Sequence, residues 1–240
     1  MAEKVLLVVH QEHSDPGRVG TMLEELGYEL DIRRGCLGHC LPETMDDHAG
    51  AVVFGGPMSA NDEHIPFIKA ELDWIPTVLA SGKPYLGICL GGQMLARVGG
   101  ATVAPHPEEL VEIGYYPVQP TEAGRDLFDP MMAFQWHREG FDVPSTGVKL
   151  AVGTSFPNQA FRLGDNAYGI QFHPEVTQAM MLRWSAKAVE MKRLDQPGAQ
   201  PREAILQGWH EYDDGLGRWL ASFLPFWLRR TPAMRALATE

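Results

Sequence analysis

The sequence predicts an α/β protein built as a three-layer sandwich, in which helices cover both faces of a central, mostly parallel sheet. Short apolar runs of strand character alternate with segments of helical periodicity, and this alternation is typical of such folds. The composition agrees, because 240 residues of which 45% are hydrophobic and 21% charged can bury a substantial core. We predict one main domain over residues 1–192 and a helical C-terminal extension over residues 193–240, packed on that domain.

The elements of the predicted sheet follow in chain order. Apolar runs predict the first four strands at residues 5–9, 29–33, 51–54 and 84–88. Helical spacing predicts helices at residues 17–26, 65–79 and 93–98. Residues 102–151 contain short strands separated by Pro and Gly, which indicates an antiparallel part. Residues 160–163 and the strand that leads to His173 then return to the main sheet.

The last part of the chain predicts two helical blocks joined by a linker. Apolar residues after Val176 recur at helical spacing, and core packing explains them best. Residues 195–201 contain two prolines and a glycine, which predict the linker. Residues 202–229 form a second helical block rich in Trp and Phe. We favour packing of this aromatic face on the main domain, with an exposed face that binds a partner subunit as the alternative.

Cys89 lies where an apolar strand gives way to a helical pattern, between Gly87 and Gly91. Reactive residues are presented on tight strand-to-helix turns of this kind, where a Cβ on the flanking residues would collide with the neighbouring backbone. The free N–H groups of the following helix would also lower the pKa of a thiol there. We therefore predict a nucleophile, with a buried structural cysteine as the alternative.

His173 and Glu175 follow the last predicted strand of the sheet. Pro174 favours an extended backbone in the residue before it, and residues two apart in an extended chain project to the same side. The two side chains can therefore be neighbours. A thiol nucleophile needs an imidazole to take its proton, and commonly an acid to orient that imidazole. Cys89, His173 and Glu175 together predict a catalytic triad.

Three segments resemble one enzyme family and occur in that family's chain order. They are Gly87-Ile88-Cys89-Leu90-Gly91-Gly92-Gln93, Gln171-Phe172-His173-Pro174-Glu175 and a glycine-rich run at residues 52–59. Over about residues 5–176, the sequence is similar to the class I (triad) glutamine amidotransferases, and within them to stand-alone relatives of the glutaminase domain of guanosine monophosphate synthetase. The resemblance implies a flavodoxin-like fold of the class I glutamine amidotransferase type and acyl transfer at Cys89.

Two backbone N–H groups are the predicted donors to the oxyanion. The geometry of the turn predicts the amide of Leu90, the residue after the nucleophile, as one donor. The resemblance places the other donor at Gly56. The resemblance also implies that Gln93 helps to hold the glutamine substrate, and that the loop around His137 binds the α-groups of the amino acid.

Three residues depart from the family pattern and leave the substrate open. Trp136 replaces a small residue before His137, and Arg138 follows where another pattern is usual. Met58 stands beside the oxyanion loop, where a small residue is common. The predicted substrate-binding residues are therefore Gln93, Met58, Trp136, His137 and Arg138.

Charge and composition exclude several classes of partner and location. A net charge of −11 without a cluster of Lys and Arg argues against a nucleic-acid partner. No long apolar run predicts a membrane span, and the N-terminus lacks the long apolar region and cleavage site of a signal peptide. Three unevenly placed cysteines form no disulfide framework, so the predicted location is the cytoplasm.

No metal and no organic cofactor are predicted. Cys36, Cys40, His39 and His48 lack the second paired cluster of a zinc site, so burial or partial exposure is expected for the two cysteines. The remaining single histidines, His10 among them, are interpreted as surface residues or as satisfied core residues.

The predicted function is a glutaminase-type amidotransferase that hydrolyses the side-chain amide of glutamine through a γ-glutamyl thioester on Cys89. Its ammonia would pass to a separate synthetase subunit, and further copies of the chain are also candidate partners. The alternative is a γ-glutamyl hydrolase that acts on γ-glutamyl amines or peptides, since Trp136 and Arg138 would suit a larger leaving group. A catalytically silent regulatory subunit is the third hypothesis, and the intact triad speaks against it.

Overall fold

The computed structural model describes residues 3–228, and one large sheet dominates them. The strands are β1 Lys4–Val9, β2 Glu29–Arg34, β3 His48–Val53, β4 Tyr85–Ile88, β5 Val103–Pro105, β6 Glu112–Pro120, β7 Met131–His137, β8 Glu139–Phe141, β9 Gly147–Val152, β10 Ala160–Leu163 and β11 Ala167–Ile170. Nine of them form the sheet in the order β2-β1-β3-β4-β11-β10-β9-β6-β7, while β5 and β8 pair separately.

The sheet is parallel on one side of β11 and antiparallel on the other. Strands β2, β1, β3, β4 and β11 pair in parallel. Strands β10, β9, β6 and β7 continue the sheet with antiparallel pairs. This arrangement confirms the predicted α/β class and the antiparallel character predicted for residues 102–151.

Among residues 3–228, five α-helices cover the two faces of the sheet, and the alternation along β1 shows why both helical layers are needed. Val5, Leu7 and Val9 belong to one hydrophobic core, and Leu6 and Val8 to the other. Successive strand residues point to opposite faces, so a wholly apolar strand is stable only between two helical layers. No helix among residues 3–228 is both long and apolar enough to cross a membrane. The helices are α1 Gly17–Glu25, α2 Pro66–Ser81, α3 Leu90–Val98, α4 Gln178–Glu190 and α5 Arg202–Leu228.

Helix α3 begins at Leu90, three residues before the start predicted from the sequence at Gln93. Gly91 and Gly92 have low intrinsic helix propensity, which delayed the predicted start. In the structure the helix passes too close to the sheet for side chains at these positions. A Cβ on Gly91 would lie 2.0 Å from the Val53 carbonyl oxygen, and one on Gly92 would lie 2.8 Å from that of Ile170.

The segment at residues 195–201, predicted as a linker, is held against the start of β6. The Val111 amide donates to the Pro197 carbonyl, and the Gln200 amide donates to the Ile113 carbonyl. The side-chain amide of Gln200 bonds both the amide and the carbonyl of Tyr115. The segment therefore extends the sheet locally and fixes the position at which α5 begins.

Helix α5 buries its aromatic face against the sheet and the neighbouring helices. Trp227 is fully buried and lies so close to β3 that a Cβ on Gly50 would touch its ring. Phe223 packs edge-on against Tyr168 of β11, with ring centroids 5.4 Å apart. The sequence left two interpretations of this face, packed on the main domain or exposed to a partner. In the described residues it is packed. Residues 1–2, and residues 229–240 of the predicted extension, lie outside the described residues.

Replacing Trp227 tests how much the chain depends on α5. We expect Trp227→Ala to lower the free energy of unfolding by about 3–5 kcal/mol, because it removes a large buried side chain and leaves a cavity. Urea denaturation measures the change. The control is Val189→Ala on α4, where the side chain is exposed and the effect should stay within about 0.5 kcal/mol. Equal losses in the two variants would contradict the packing of α5.

Candidate active site

Cys89 occupies a strained turn between β4 and α3. Its φ of 50° and ψ of −104° lie in a region that non-glycine residues rarely adopt. The turn is possible only because Gly87 and Gly91 lack side chains: a Cβ on Gly87 would lie 2.3 Å from the Gly91 carbonyl oxygen. The Cys89 amide donates to the Ile170 carbonyl at 2.8 Å, which ties the turn to β11. The strand-to-helix turn predicted for a nucleophile is therefore present.

The sheet brings His173 to Cys89. Strands β4 and β11 pair in parallel with Gly87 opposite Gly169 and Ile88 opposite Ile170, so both chains leave the sheet at the same edge. Gly55, which follows β3, lies between the two residues. A Cβ on Gly55 would be 2.7 Å from His173 Cε1 and 3.4 Å from Cys89 Cβ. A loop from β3, the elbow after β4 and the loop after β11 thus converge on one point.

Glu175 holds the imidazole of His173 from behind. His173 Nδ1 donates to Glu175 Oε1 at 2.7 Å, and both side chains are buried. With the Nδ1 hydrogen engaged by the carboxylate, Nε2 is the nitrogen left for the thiol. Burial by itself would lower the pKa of His173, but the charges of Glu175 and Cys89 outweigh it and raise the pKa. The imidazole is therefore set up to hold a proton beside sulfur.

The amides of Gly56 and Leu90 border the same point. Neither donates a hydrogen bond to another residue of the described chain, whereas the next amide, that of Gly91, donates to the Phe54 carbonyl at 3.2 Å. Leu90 is the first residue of α3, so its N–H is one of the free donors at a helix start. Both N–H groups are therefore left without an acceptor among residues 3–228.

Gln93 belongs to a buried chain of side-chain amides that ends at Cys89. Its Nε2 donates to the Glu139 carbonyl at 2.8 Å and to Gln171 Oε1 at 3.3 Å. Gln171 in turn directs its Nε2 to Cys89 Sγ at 3.5 Å. Gln171 was not among the site residues predicted from the sequence. Its position two residues before His173 could have indicated it, because residues two apart in an extended chain project to the same side.

The other predicted substrate residues have different surroundings in the structure. Trp136 lies near the site, because its ring is 5.6 Å from that of Trp184, which packs edge-on against His173. The His137 side chain is committed elsewhere: its ring nitrogens contact Glu112 Oε2 and the Glu139 carbonyl, each at 3.0 Å.

The remaining two predicted substrate residues are Arg138 and Met58. Arg138 is exposed and forms no ion pair among residues 3–228. Met58 is half-buried and packs on the core beneath α2 and α3. Neither of these two environments identifies a group of the substrate.

Arg18 is a supporting residue that sequence reasoning missed. Its amide donates to the Glu175 carbonyl at 2.8 Å, and its guanidinium reaches the Pro174 carbonyl and the carboxylate of Asp213 on α5. It therefore links the His173 loop to the C-terminal helix. Arg18 carries no motif of its own, and only the fold brings residues 18, 174 and 213 together.

The described residues contain no group of three potential metal ligands. Cys36 and Cys40 are both free thiols and both exposed.

Comparison with known proteins identifies the family. The sequence profile of class I glutamine amidotransferases matches residues 20–182. This chain belongs to that family. It is 32% identical to a glutamine amidotransferase-like protein, YfeJ, from Salmonella typhimurium, over 72% of this chain and 76% of that one.

Two further comparisons define how the chain relates to larger and to stand-alone members of the family. It is 36% identical to the GMP synthase (glutamine-hydrolysing) of Aliivibrio fischeri over 53% of this chain, but spans only 24% of that longer enzyme. The crystal structure of a glutamine amidotransferase from Methylobacillus flagellatus superposes with a TM-score of 0.87 at 27% identity, covering 96% of each chain. The superposition with this neighbour therefore extends over nearly the whole of both chains.

Removing the charge of Glu175 should change the titration of His173. We expect Glu175→Gln to lower the pKa of His173, because the carboxylate charge is what opposes the effect of burial. NMR titration of the imidazole C–H signals measures this, with Glu108→Gln, at an exposed position, as the control.

The raised pKa of His173 also predicts how the stability of the folded state depends on pH. A histidine whose pKa is raised in the folded state stabilises that state fully below its unfolded value of about 6.5, and the contribution is lost as the pH rises through the folded value. An unchanged His173 titration in Glu175→Gln would contradict this coupling.

Proposed function

We propose that this amidotransferase hydrolyses the side-chain amide of glutamine to glutamate and ammonia through a γ-glutamyl thioester on Cys89. The observation that carries the proposal is the convergence of Cys89, His173 and Glu175 at one edge of the sheet, with the free amides of Gly56 and Leu90 beside them. Thiol, imidazole, orienting acid and oxyanion donors are the groups that cysteine acyl transfer requires.

The reaction begins with attack of the Cys89 sulfur on the amide carbon of the substrate. A C–S bond forms, and the carbonyl oxygen becomes an oxyanion that the Gly56 and Leu90 amides stabilise. Collapse breaks the C–N bond, and the proton held by His173 passes to the leaving nitrogen, so ammonia departs.

Hydrolysis of the thioester repeats these steps with water. His173 takes a proton from water as the oxygen attacks, and the C–S bond breaks to release glutamate. Glu175 keeps the imidazole in the required orientation in both halves of the reaction. No step needs a metal or an organic cofactor.

A γ-glutamyl hydrolase remains the second candidate. Its support is the pair of tryptophans, Trp136 and Trp184, next to His173, together with the exposed Arg138 at the end of β7. Indole rings of this kind would provide apolar contact area for an amine or peptide leaving group larger than ammonia.

A separate synthetase is the proposed acceptor of ammonia. In the GMP synthase of A. fischeri, the part that this chain matches is about a quarter of a longer enzyme. By analogy, a second protein would supply the remaining chemistry. Homo-oligomerisation and a cytoplasmic location stay part of the proposal, the latter because three free cysteines without a disulfide fit a reducing compartment.

The decisive test is Cys89→Ala, assayed for ammonia release from glutamine and from a panel of γ-glutamyl amines. We expect turnover to fall by at least about 10⁴-fold, as for loss of a nucleophile in other triads. The control, Cys36→Ala, removes an exposed thiol and should keep the wild-type rate.

Mass spectrometry of the wild type should detect a glutamyl adduct on the peptide that contains Cys89. Retained turnover in Cys89→Ala would refute the assignment of the nucleophile. Faster turnover of one γ-glutamyl amine than of glutamine, without any partner, would favour the hydrolase.

A further inference from the structure

A second buried histidine–glutamate pair lies behind the glycine loop. His10, at the end of β1, contacts Glu71 of α2 with 2.7 Å between Nε2 and Oε2, and both side chains are almost fully excluded from solvent. Neither residue belongs to the triad. The sequence predicted a surface histidine or a satisfied core histidine at this position.

The other ring nitrogen of His10 contacts the glycine loop. His10 Nδ1 lies 3.1 Å from the carbonyl oxygen of Gly55. A carbonyl can only accept a hydrogen bond, so Nδ1 carries the hydrogen. Glu71 therefore meets Nε2, and the pair shares a further proton. Burial would lower the pKa of His10, but the charge of Glu71 and the hydrogen bonds to Glu71 and Gly55 outweigh it and raise the pKa.

This contact determines which way the next amide points. In a planar trans peptide the carbonyl and the N–H lie on opposite sides. Because the Gly55 carbonyl is turned to His10, the Gly56 N–H is turned away from it. Gly55 itself lies against Cys89 and His173, so this peptide borders the reacting groups.

Two adjacent glycines would not keep this orientation by themselves. Glycine adopts positive and negative φ about equally readily, so a Gly55–Gly56 peptide can rotate at little steric cost. The surroundings leave little room on one side: a Cβ on Gly56 would lie 2.9 Å from His10 Cβ and 3.1 Å from Leu90 Cδ2. The hydrogen bond from Nδ1 is the polar contact that selects one orientation.

Stability alone is a poor explanation for the pair. Removing two charged groups from water costs free energy, and apolar residues of similar size often stabilise a core equally well or better. One oxygen of Glu71, Oε1, has no hydrogen-bond partner among the described residues, so the carboxylate is not fully compensated. A role in positioning the loop accounts for a pair that packing does not require.

We propose that His10 and Glu71 are positioning residues that hold the Gly55–Gly56 peptide so that the Gly56 N–H faces the oxyanion. This inference rests on the proposed function, because it concerns the transition state of that reaction. The pair would then act on kcat rather than on substrate affinity, since the oxyanion exists only after attack.

The test compares two double variants that differ in one donor. In His10→Leu/Glu71→Leu the pair is replaced by apolar side chains without leaving a buried charge. In His10→Asn/Glu71→Leu the asparagine, of nearly the same shape as leucine, places an amide N–H close to the position of Nδ1. We expect kcat on glutamine to fall about 100-fold in the first, the typical effect of losing one oxyanion donor, with KM within about threefold. In the second variant we expect kcat to be at least tenfold higher than in the first.

A reaction without an oxyanion is the internal control. Alkylation of Cys89 by iodoacetamide displaces iodide directly and forms no tetrahedral intermediate, so its rate should stay within about twofold in both variants. A parallel loss of alkylation and hydrolysis would overturn the inference, because the effect would then lie on the thiol. Unchanged kcat in the double-leucine variant would also overturn it.

Two further measurements test the inference if a variant does not fold or if the wild type shows no hydrolysis. Should the double-leucine variant not fold, His10→Gln replaces it, since its longer amide reaches Glu71 but not the Gly55 carbonyl; the same loss of kcat is expected. Should the wild type hydrolyse no γ-glutamyl amide, the proposed function fails on its own. Crystal structures of the wild type and a folded variant then decide the inference: a rotated Gly55–Gly56 peptide in the variant supports it, and an unchanged peptide overturns it.

Discussion

The close approach of α3 to the sheet is the constraint on which the candidate site depends. Gly87 and Gly91 allow the chain to turn at Cys89 with a backbone conformation that costs free energy in most proteins. The same approach leaves the Leu90 amide free at the start of the helix and sets the elbow next to the ends of β3 and β11. The turn is thus both the source of the strain and the reason that three loops meet.

Buried histidine–glutamate pairs recur around this point, and each contacts a different segment. His173 and Glu175 form the pair next to the thiol. His10 and Glu71 lie behind the glycine loop. His137 and Glu112 hold the end of β7, where His137 also contacts the Glu139 carbonyl that receives Gln93. Because a charge in a low-dielectric interior needs a partner, these pairs fix the loops more specifically than apolar contacts would.

The C-terminal helix is part of this arrangement rather than an appendage to it. Asp213 of α5 binds the Arg18 guanidinium, and Arg18 donates hydrogen bonds to the Pro174 and Glu175 carbonyls of the loop that carries the His173–Glu175 pair. Trp227 and Phe223 bury the same helix against β3 and β11. Asp213 and Arg18 thus connect α5 to the loop that carries the imidazole.

The sequence by itself determined the fold class, the elbow at Cys89 and the closeness of His173 to Glu175. These follow from local physics: the period of apolar residues, glycines at a tight turn, and two side chains on the same side of an extended chain. It could not determine the partners of His10, Gln171 or Arg18, because each contact joins segments far apart in the chain. Whether His137 faces a substrate or Glu112 depends on the pairing of β6 with β7, and the packing of the α5 aromatics depends on the sheet beneath them. Only the tertiary structure decided these, since a side chain's role follows from its neighbours and not from its type.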